Sequence, residues 1–180
     1  MRRRVVLLWF IALAGFFAAG PQGAGAQEDA EWIGKKAPDF SMDDTEGKTL
    51  KLADFVGKKV VWLNFWGLRC GPCVRELPAL QKIYEKYSPK GLVIIGVNTD
   101  GVDGAFIKNQ FAARDDLKKA KVSFPLTSDP DFKAIDAYAL MGAPLNVMID
   151  KQGKIQFRHE GYEDGDEVGY AKVVEKLLAQ

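Results

Sequence analysis

The amino-acid sequence predicts an α/β domain in which helices cover both faces of a central mixed β-sheet. Two short runs of apolar, largely β-branched or aromatic residues, 60–65 and 92–97, are typical of strands buried on both faces. A segment with helical spacing of apolar residues follows each run. A strand–turn–strand pattern and a final helical pattern then close the chain. This order favours a central mixed sheet with helices on both faces.

Each element has its own local signal. Residues 72–87 have leucines, an isoleucine and tyrosines at helical spacing, with Pro78 inside the segment, where its missing N–H is expected to kink the helix. Residues 146–150 and 155–158 flank a Lys-Gln-Gly-Lys turn and predict a hairpin. Further helices are predicted at 103–120, 131–140 and 166–178, and an N-terminal hairpin is predicted from residues 37–40 and 50–52 around the turn Glu46-Gly47.

The first residues have the layout of a secretory signal. Arginines at positions 2–4 precede an apolar run at 5–19, and Ala24-Gly25-Ala26 places small residues where a signal peptidase cleaves. The run is short for a membrane-spanning helix, which needs ~20 residues. We therefore predict a signal peptide at 1–26, a linker at 27–36 and the folded domain at 37–180. An uncleaved N-terminal anchor is the alternative, and in both cases the domain is extracytoplasmic, for example periplasmic.

Composition narrows the possible functions. The net charge is +1, from 25 basic and 24 acidic side chains, and no basic stripe is visible. Nucleic-acid binding is therefore not expected. The length after the signal segment suits one domain with one core, and a monomer is expected.

The two cysteines form a Cys70-Gly71-Pro72-Cys73 motif between a predicted strand and a predicted helix. A disulfide across so short a loop adds little stability, because the gain grows with loop length. The start of a helix carries unpaired N–H groups and a partial positive charge, which favour a thiolate. We therefore predict that Cys70 is the attacking sulfur and that Cys73, one turn inside the helix, resolves the mixed disulfide.

Other uses of the cysteines are less well supported. A structural zinc site needs about four ligands, whereas the chain has two cysteines and one histidine, His159. A c-type haem site requires a histidine directly after the second cysteine, and Val74 occupies that position. A purely structural disulfide is the strongest alternative that remains.

The segment from Asn64 to Cys73, Asn-Phe-Trp-Gly-Leu-Arg-Cys-Gly-Pro-Cys, resembles the active site of the thioredoxin superfamily. The wider pattern is similar to its exported TlpA/ResA-like branch, with matching pieces at residues 37–40, 47–48, 63–66, 76–78, 142–144 and 149–150 with Gly153. The resemblance covers nearly the whole chain from Gly34 onward. It implies a thioredoxin-like fold with an N-terminal β-hairpin extension.

The resemblance also implies residue roles. Pro144 matches the family's cis-proline, which faces the disulfide and helps to dock an extended substrate. Glu76 matches an acid placed beside the cysteines, and we expect it to take the proton from Cys73. Asn64 stands where thioredoxin has a buried acid. Arg69 stands where a tryptophan is usual and Ala143 where a threonine or valine is often found, and these two departures bear on the substrate but not on the chemistry. The expected substrate-contacting residues are Trp66, Gly71, Pro72, Ala143 and Pro144.

The function implied is reduction of protein disulfides. The branch includes reductants of cytochrome c maturation, so apocytochrome c is a candidate substrate and a membrane thiol transporter is the implied electron donor. No organic cofactor and no metal is expected, since the redox group is the Cys70–Cys73 pair itself. The alternatives are a disulfide-forming oxidase or isomerase, a peroxiredoxin-like peroxidase suggested by residues 37–40, and a non-enzymatic copper(I)-binding module.

Overall fold

The computed structural model describes residues 29–180. The predicted signal peptide or anchor at 1–26 and the first residues of the predicted linker lie outside the described residues. No helix within residues 29–180 is both long and apolar enough to cross a bilayer. The strands are β1 (Ser41–Asp43), β2 (Thr49–Lys51), β3 (Val60–Trp66), β4 (Leu92–Asn98), β5 (Leu126–Ser128), β6 (Leu145–Ile149) and β7 (Ile155–Glu160). The helices are α1 (Gly71–Tyr87), α2 (Gly104–Ala113), α3 (Asp115–Ala120), α4 (Lys133–Ala137) and α5 (Asp166–Leu178), with short 3₁₀ turns at Leu52–Asp54 and Ser88–Lys90.

Five strands form the central sheet in the order β5-β4-β3-β6-β7. The β3–β4 and β4–β5 pairs are parallel, whereas β6 is antiparallel to both β3 and β7. Every residue of β3 is buried, which explains its apolar sequence without polar alternation. The predicted mixed sheet flanked by helices is confirmed.

The two faces of the sheet have separate cores. One face packs against α1, α2, α3 and α5, with Trp62 and Trp66 of β3 meeting Leu77 and Val174 of the helices. The other face packs against the hairpin β1–β2 and α4, with Val61, Leu63 and Phe65 meeting residues such as Leu50 and Ala134. The alternating direction of side chains along β3 therefore supplies both cores.

Several predicted boundaries change in the structure. The single helix expected at 103–120 is two helices, since Arg114 between them has an extended backbone (φ −97°, ψ 127°). The helix expected at 131–140 is only Lys133–Ala137, because Phe132 and Ala139 on either side have left-handed backbone angles (φ 57° and 47°). Strand β5 was missed because it has only three residues and Pro125 directly before it interrupts the apolar pattern. The helix predicted at 72–87, with Pro78 inside it, is present as α1.

The N-terminal extension is also shifted. Its first strand is β1 at Ser41–Asp43 rather than residues 37–40, where the carbonyl of Pro38 instead accepts a hydrogen bond from the Tyr138 hydroxyl at 2.8 Å. The predicted Glu46-Gly47 turn is present, with Gly47 in the left-handed region (φ 83°). Part of the segment predicted as linker packs on the domain: the Gly34 N–H donates to the Ile155 carbonyl at 2.7 Å.

Candidate active site

The two cysteines lie where β3 meets α1 and are joined by a disulfide. Cys70 is the N-cap residue of α1, and its Sγ accepts a hydrogen bond from the Cys73 backbone N–H at 3.2 Å. Cys70 is partly exposed, whereas Cys73 is fully buried. An incoming molecule can therefore reach only the first sulfur, at the positive end of a 17-residue helix.

The loop before Cys70 is held by residues that come from distant parts of the chain. The Leu68 N–H donates to Asp100 Oδ2 at 2.7 Å, and Asn98 Nδ2 donates to the same oxygen at 2.8 Å. On the other side, Arg114 donates to the Leu68 carbonyl at 2.6 Å. Asp100 and Arg114 were not predicted from the sequence. They follow Leu68 by 32 and 46 positions, and no local sequence motif indicates contacts over such separations.

A second loop approaches the disulfide from β6. The Ala143–Pro144 peptide bond is cis, and the Ala143 carbonyl oxygen lies 3.4 Å from Cys70 Sγ. The predicted cis bond beside the cysteine pair is thus confirmed. Pro144 is buried and its carbonyl accepts from the Gly161 N–H at 2.7 Å, so Gly142 and Ala143 are the partly exposed residues of this loop.

Glu76 is fully buried one turn after Cys73 on α1. Its spacing of three residues places the two side chains on the same side of the helix. Burial raises the pKa of Glu76 from 4.5 to about 7, although hydrogen bonds from Asn146 and Asn64 act in the opposite direction. A carboxyl with this pKa exists in both protonation states near neutral pH, which suits a group that accepts and returns a proton.

The partners of Glu76 are two asparagines from neighbouring strands. Asn64 Nδ2 donates to Oε2 at 2.9 Å and Asn146 Nδ2 donates to Oε1 at 2.6 Å. Asn146 Oδ1 in turn accepts from Trp62 Nε1 at 2.8 Å. The sequence analysis identified Asn64 as the residue that replaces a buried acid, but it missed Asn146 and Trp62. Asn146 is 70 positions from Glu76 and 84 positions from Trp62, so no local pattern indicates these hydrogen bonds.

The structure separates the predicted substrate-contacting residues into two groups. Gly71 is exposed, and Pro72 and Ala143 are partly exposed around the disulfide. Pro144 is buried and Trp66 is fully buried, so neither lies at the surface around the disulfide, and the contact of each with substrate stays a prediction. The Trp66 indole packs edge-on against Phe111 at 5.7 Å, and a Cβ on the neighbouring Gly96 would lie 3.2 Å from its Nε1.

The charged and metal-binding candidates are also placed. Arg69 is exposed next to Cys70. His159 lies on the edge strand β7, with Nε2 3.6 Å from Asp166 Oδ2. Within residues 29–180, no group of three or more His, Cys, Asp or Glu side chains could hold a metal ion.

The sheet, the cysteine pair and the cis-proline loop together define a class of protein. A mixed five-stranded sheet presents a half-exposed cysteine at a helix N-terminus, a buried second cysteine, and a cis-proline loop beside the pair. An accessible sulfur at a helix N-terminus is paired with a buried one, which suits thiol–disulfide exchange, and a buried carboxyl follows one turn later on the same helix. The fold and site are those of a thioredoxin-like oxidoreductase.

Comparison with known proteins gives the family. Residues 33–158 match the model of the AhpC/TSA family. The thiol-disulfide oxidoreductase ResA of Bacillus thuringiensis subsp. konkukian is 40% identical over 153 residues, which cover 85% of this chain and 83% of the relative. The chain therefore belongs to the AhpC/TSA family, and it is an enzyme, a thiol-disulfide oxidoreductase.

Solved structures agree with this assignment. A protein described as the thiol:disulfide interchange protein DsbE of Chlorobium tepidum superposes with a TM-score of 0.71 at 31% identity, over 81% of this chain and 97% of that one. The exposed lipoprotein thioredoxin of Streptococcus pneumoniae superposes with a TM-score of 0.63 at 26% identity, over 78% of this chain and 100% of that one. The predicted thioredoxin-like fold is confirmed.

Proposed function

We propose that this enzyme reduces disulfides of exported proteins, with Cys70 as the attacking sulfur and Cys73 as the resolving sulfur. The observation that carries the proposal is the contrast between the two sulfurs: Cys70 is accessible at the N-terminus of α1 and Cys73 is fully buried behind it. An extended substrate segment would lie between Gly71 and Pro72 on one side and the Ala143–Pro144 loop on the other.

The exchange proceeds in two displacements. The Cys70 thiolate attacks one sulfur of the substrate disulfide, the substrate S–S bond breaks, and the departing sulfur leaves as a thiolate that takes up a proton. The Cys73 thiol then gives its proton to Glu76 and attacks Cys70 Sγ. The bond between Cys70 and the substrate breaks, and the second substrate sulfur leaves as a thiolate that takes up the proton released again by Glu76. Two electrons pass to the substrate, and the enzyme is left with the Cys70–Cys73 disulfide.

Regeneration needs an external dithiol, since the enzyme cannot reduce its own disulfide. We assign that role to a membrane thiol transporter and place the domain outside the cytoplasm, behind the N-terminal signal or anchor. The basic start and apolar run of the sequence support this location, as does similarity to an exposed lipoprotein thioredoxin. Apocytochrome c is the proposed substrate in cytochrome c maturation. The cycle requires no organic cofactor and no metal, and one copy of the domain holds all of its parts.

The reduction potential of the Cys70–Cys73 pair tests the direction of the reaction. A reductase is expected to have a potential near that of thioredoxin, about −270 mV, whereas a disulfide-forming oxidase lies near about −120 mV. Equilibration of the purified domain with glutathione redox buffers measures this value. A strongly oxidising potential would assign the enzyme to disulfide formation instead. Absence of peroxide consumption by the reduced protein would separate it from a peroxidase.

A further inference from the structure

Asn146 is the centre of a buried hydrogen-bond network below the disulfide. It lies on β6 directly opposite Asn64 of β3 in the antiparallel register, two residues after Pro144. Its amide nitrogen donates to Glu76 Oε1 at 2.6 Å, and its amide oxygen accepts from Trp62 Nε1 at 2.8 Å and from Asn64 Nδ2 at 3.0 Å. Trp62, Asn64, Glu76 and Asn146 are all fully buried.

The indole of Trp62 fixes which way the Asn146 amide points. An indole N–H can only donate, so the group facing it must be the Asn146 oxygen. The amide nitrogen of Asn146 then necessarily faces Glu76. A rotated Asn146 would place its NH₂ against both the Trp62 N–H and the Asn64 NH₂, leaving buried donors without acceptors.

Asn64 is held less firmly. Its nitrogen donates to Glu76 Oε2 and to Asn146 Oδ1, but its own oxygen meets no hydrogen-bond donor within residues 29–180. If Asn64 rotates, that oxygen can accept a hydrogen bond from a proton on Oε2, while Trp62 still satisfies Asn146 Oδ1. Oε1, in contrast, faces a donor in both protonation states.

We propose that Asn146, locked by the Trp62 N–H, is a positioning residue that keeps the Glu76 carboxyl a proton acceptor and directs the proton to Oε2. The proposal rests on the assigned role of Glu76 in activating Cys73. It gives Trp62 and Asn146, which touch neither substrate nor sulfur in the mechanism above, a function in the exchange reaction.

Among the groups around Glu76, the side-chain amides of Asn64 and Asn146 are the ones that stabilise its ionised carboxylate. The titratable groups that interact with its charge are Asp166 and Tyr170 on α5 and Tyr162 before α5, while Cys73 precedes it by one turn on α1. Asp166 raises the pKa of Glu76 by charge repulsion, and Glu76 contributes to the raised pKa values of both tyrosines. No cation within residues 29–180 forms an ion pair with Glu76. Strands β3 and β6 therefore provide the stabilisation of the ionised carboxylate, through Asn64 and Asn146.

The test is the titration of Glu76 in the disulfide form, where the cysteines do not titrate. The ¹³C NMR signals of glutamate side-chain carboxyls, followed against pH, report this group directly. Asn146→Leu removes a hydrogen bond to a charged group, so the Glu76 titration is expected to move up by about one to two pH units. Trp62→Phe frees Asn146 to rotate and accept from a protonated Glu76, so a smaller upward shift is expected.

Gln81→Leu is the matched control. Gln81 is a buried amide on α1, the helix that carries Glu76, but its hydrogen bonds go to Ser123 and Glu85 instead of Glu76. This variant loses buried amide hydrogen bonds and is expected to leave the Glu76 titration in place. An unchanged Glu76 titration in Trp62→Phe would show that the Trp62 N–H does not fix the orientation of the Asn146 amide, and would overturn that part of the proposal. An equal shift in Gln81→Leu would show that any loss of packing produces it, and would likewise overturn the proposal.

Turnover of a protein disulfide by the same variants separates this inference from the proposed function. Slower turnover in Asn146→Leu, with the shifted titration and an unchanged KM, supports both. A shifted titration with unchanged turnover would show that Asn146 sets the protonation of Glu76, but it would remove Glu76, Asn146 and Trp62 from the exchange reaction and so overturn their role there, while the exchange by Cys70 and Cys73 would stand.

Discussion

The two faces of strands β3 and β6 are built from the same stretches of chain but differ in chemistry. Val61, Leu63 and Phe65, together with Leu145 and Val147, point to the face covered by the N-terminal hairpin and α4, and this face is apolar. The intervening residues, Trp62, Asn64 and Asn146, point to the face covered by α1 and α5. There they surround a buried carboxyl.

The difference shows how a small domain combines stability with reactivity. The apolar face contributes hydrophobic burial, whereas both cysteines pack on the opposite face of the sheet. The polar face has a cost, because a carboxyl is buried there and pairs with no cation of residues 29–180. Its benefit is a group that changes protonation near neutral pH. Substitutions on the two faces should therefore separate stability from chemistry.

The largest expected effect is on the polar face, at the cysteines themselves. Cys70→Ser is expected to lose all exchange activity, because no other accessible thiolate exists in the chain. Cys73→Ser is expected to attack substrate normally and then to accumulate mixed disulfides, since the resolving sulfur is gone. Turnover assays with mass spectrometry of the products measure both. Accumulation of mixed disulfides in Cys70→Ser instead would reverse the assignment.

On the apolar face, Phe65→Ala is expected to lower the free energy of unfolding by about 3–5 kcal/mol, as for large-to-small changes in a packed core. Activity per folded molecule is expected to stay close to that of the wild type, because Phe65 faces away from the disulfide. Denaturant unfolding with a parallel turnover assay checks this. Phe106→Ala is the control, because Phe106 is 46% exposed and should cost far less stability.

The buried carboxyl should make stability depend on pH. The folded protein holds the Glu76 proton up to about pH 7, whereas the ordinary value is 4.5, so folding binds a proton between these two values. The stabilisation is complete below pH 4.5 and is lost as pH rises through about 7. Its full size is about 3 kcal/mol.

Glu76→Gln is expected to remove this pH dependence, and unfolding of the disulfide form at pH 5 and pH 8 measures it. The same variant is expected to lower the apparent pKa for alkylation of Cys70, because a negative charge nearby is lost. It should also slow reduction of a protein disulfide by about 100-fold. Parallel stability profiles, superimposable alkylation curves and unchanged turnover would leave Glu76 with only a structural role.

The smallest expected effect is at the surface, next to the disulfide. Arg69→Gln is expected to raise the apparent pKa for alkylation of Cys70 by a few tenths of a unit, as is typical of an exposed charge, and about 1 M salt should abolish the difference. Lys90→Gln removes an exposed cation in the 3₁₀ turn that follows the C-terminal end of α1 and should have no effect. Equal alkylation curves for wild type and Arg69→Gln at low salt would show that Arg69 does not favour the thiolate.

Local signals in the sequence were sufficient for much of this molecule. Helix α5 was predicted at its observed bounds, and the site at Cys70–Cys73 followed from a motif placed between a strand and a helix. The break at Arg114 could not be predicted, because it depends on a guanidinium that reaches the Leu68 carbonyl. The buried position of Trp66 was missed for a similar reason, since it requires the close approach of Gly96 from the neighbouring strand.

The polar cluster lay furthest from sequence-based prediction. Trp62 and Asn146 look like ordinary strand residues, and only the β3–β6 register brings them together below the disulfide. A polar residue within an apolar strand was the one available signal, and it drew attention to Asn64 but not to Asn146.

The relative reactivity of the two thiols tests the central claim most directly. The fully reduced wild-type protein is treated with limiting iodoacetamide across a range of pH, and mass spectrometry of its peptides gives the rate of modification at each cysteine. Cys70 is expected to react first at every pH, because it is the accessible sulfur at the start of α1, while Cys73 stays protected in the core. Faster modification of Cys73 would contradict the division of labour between the exposed sulfur and the buried one.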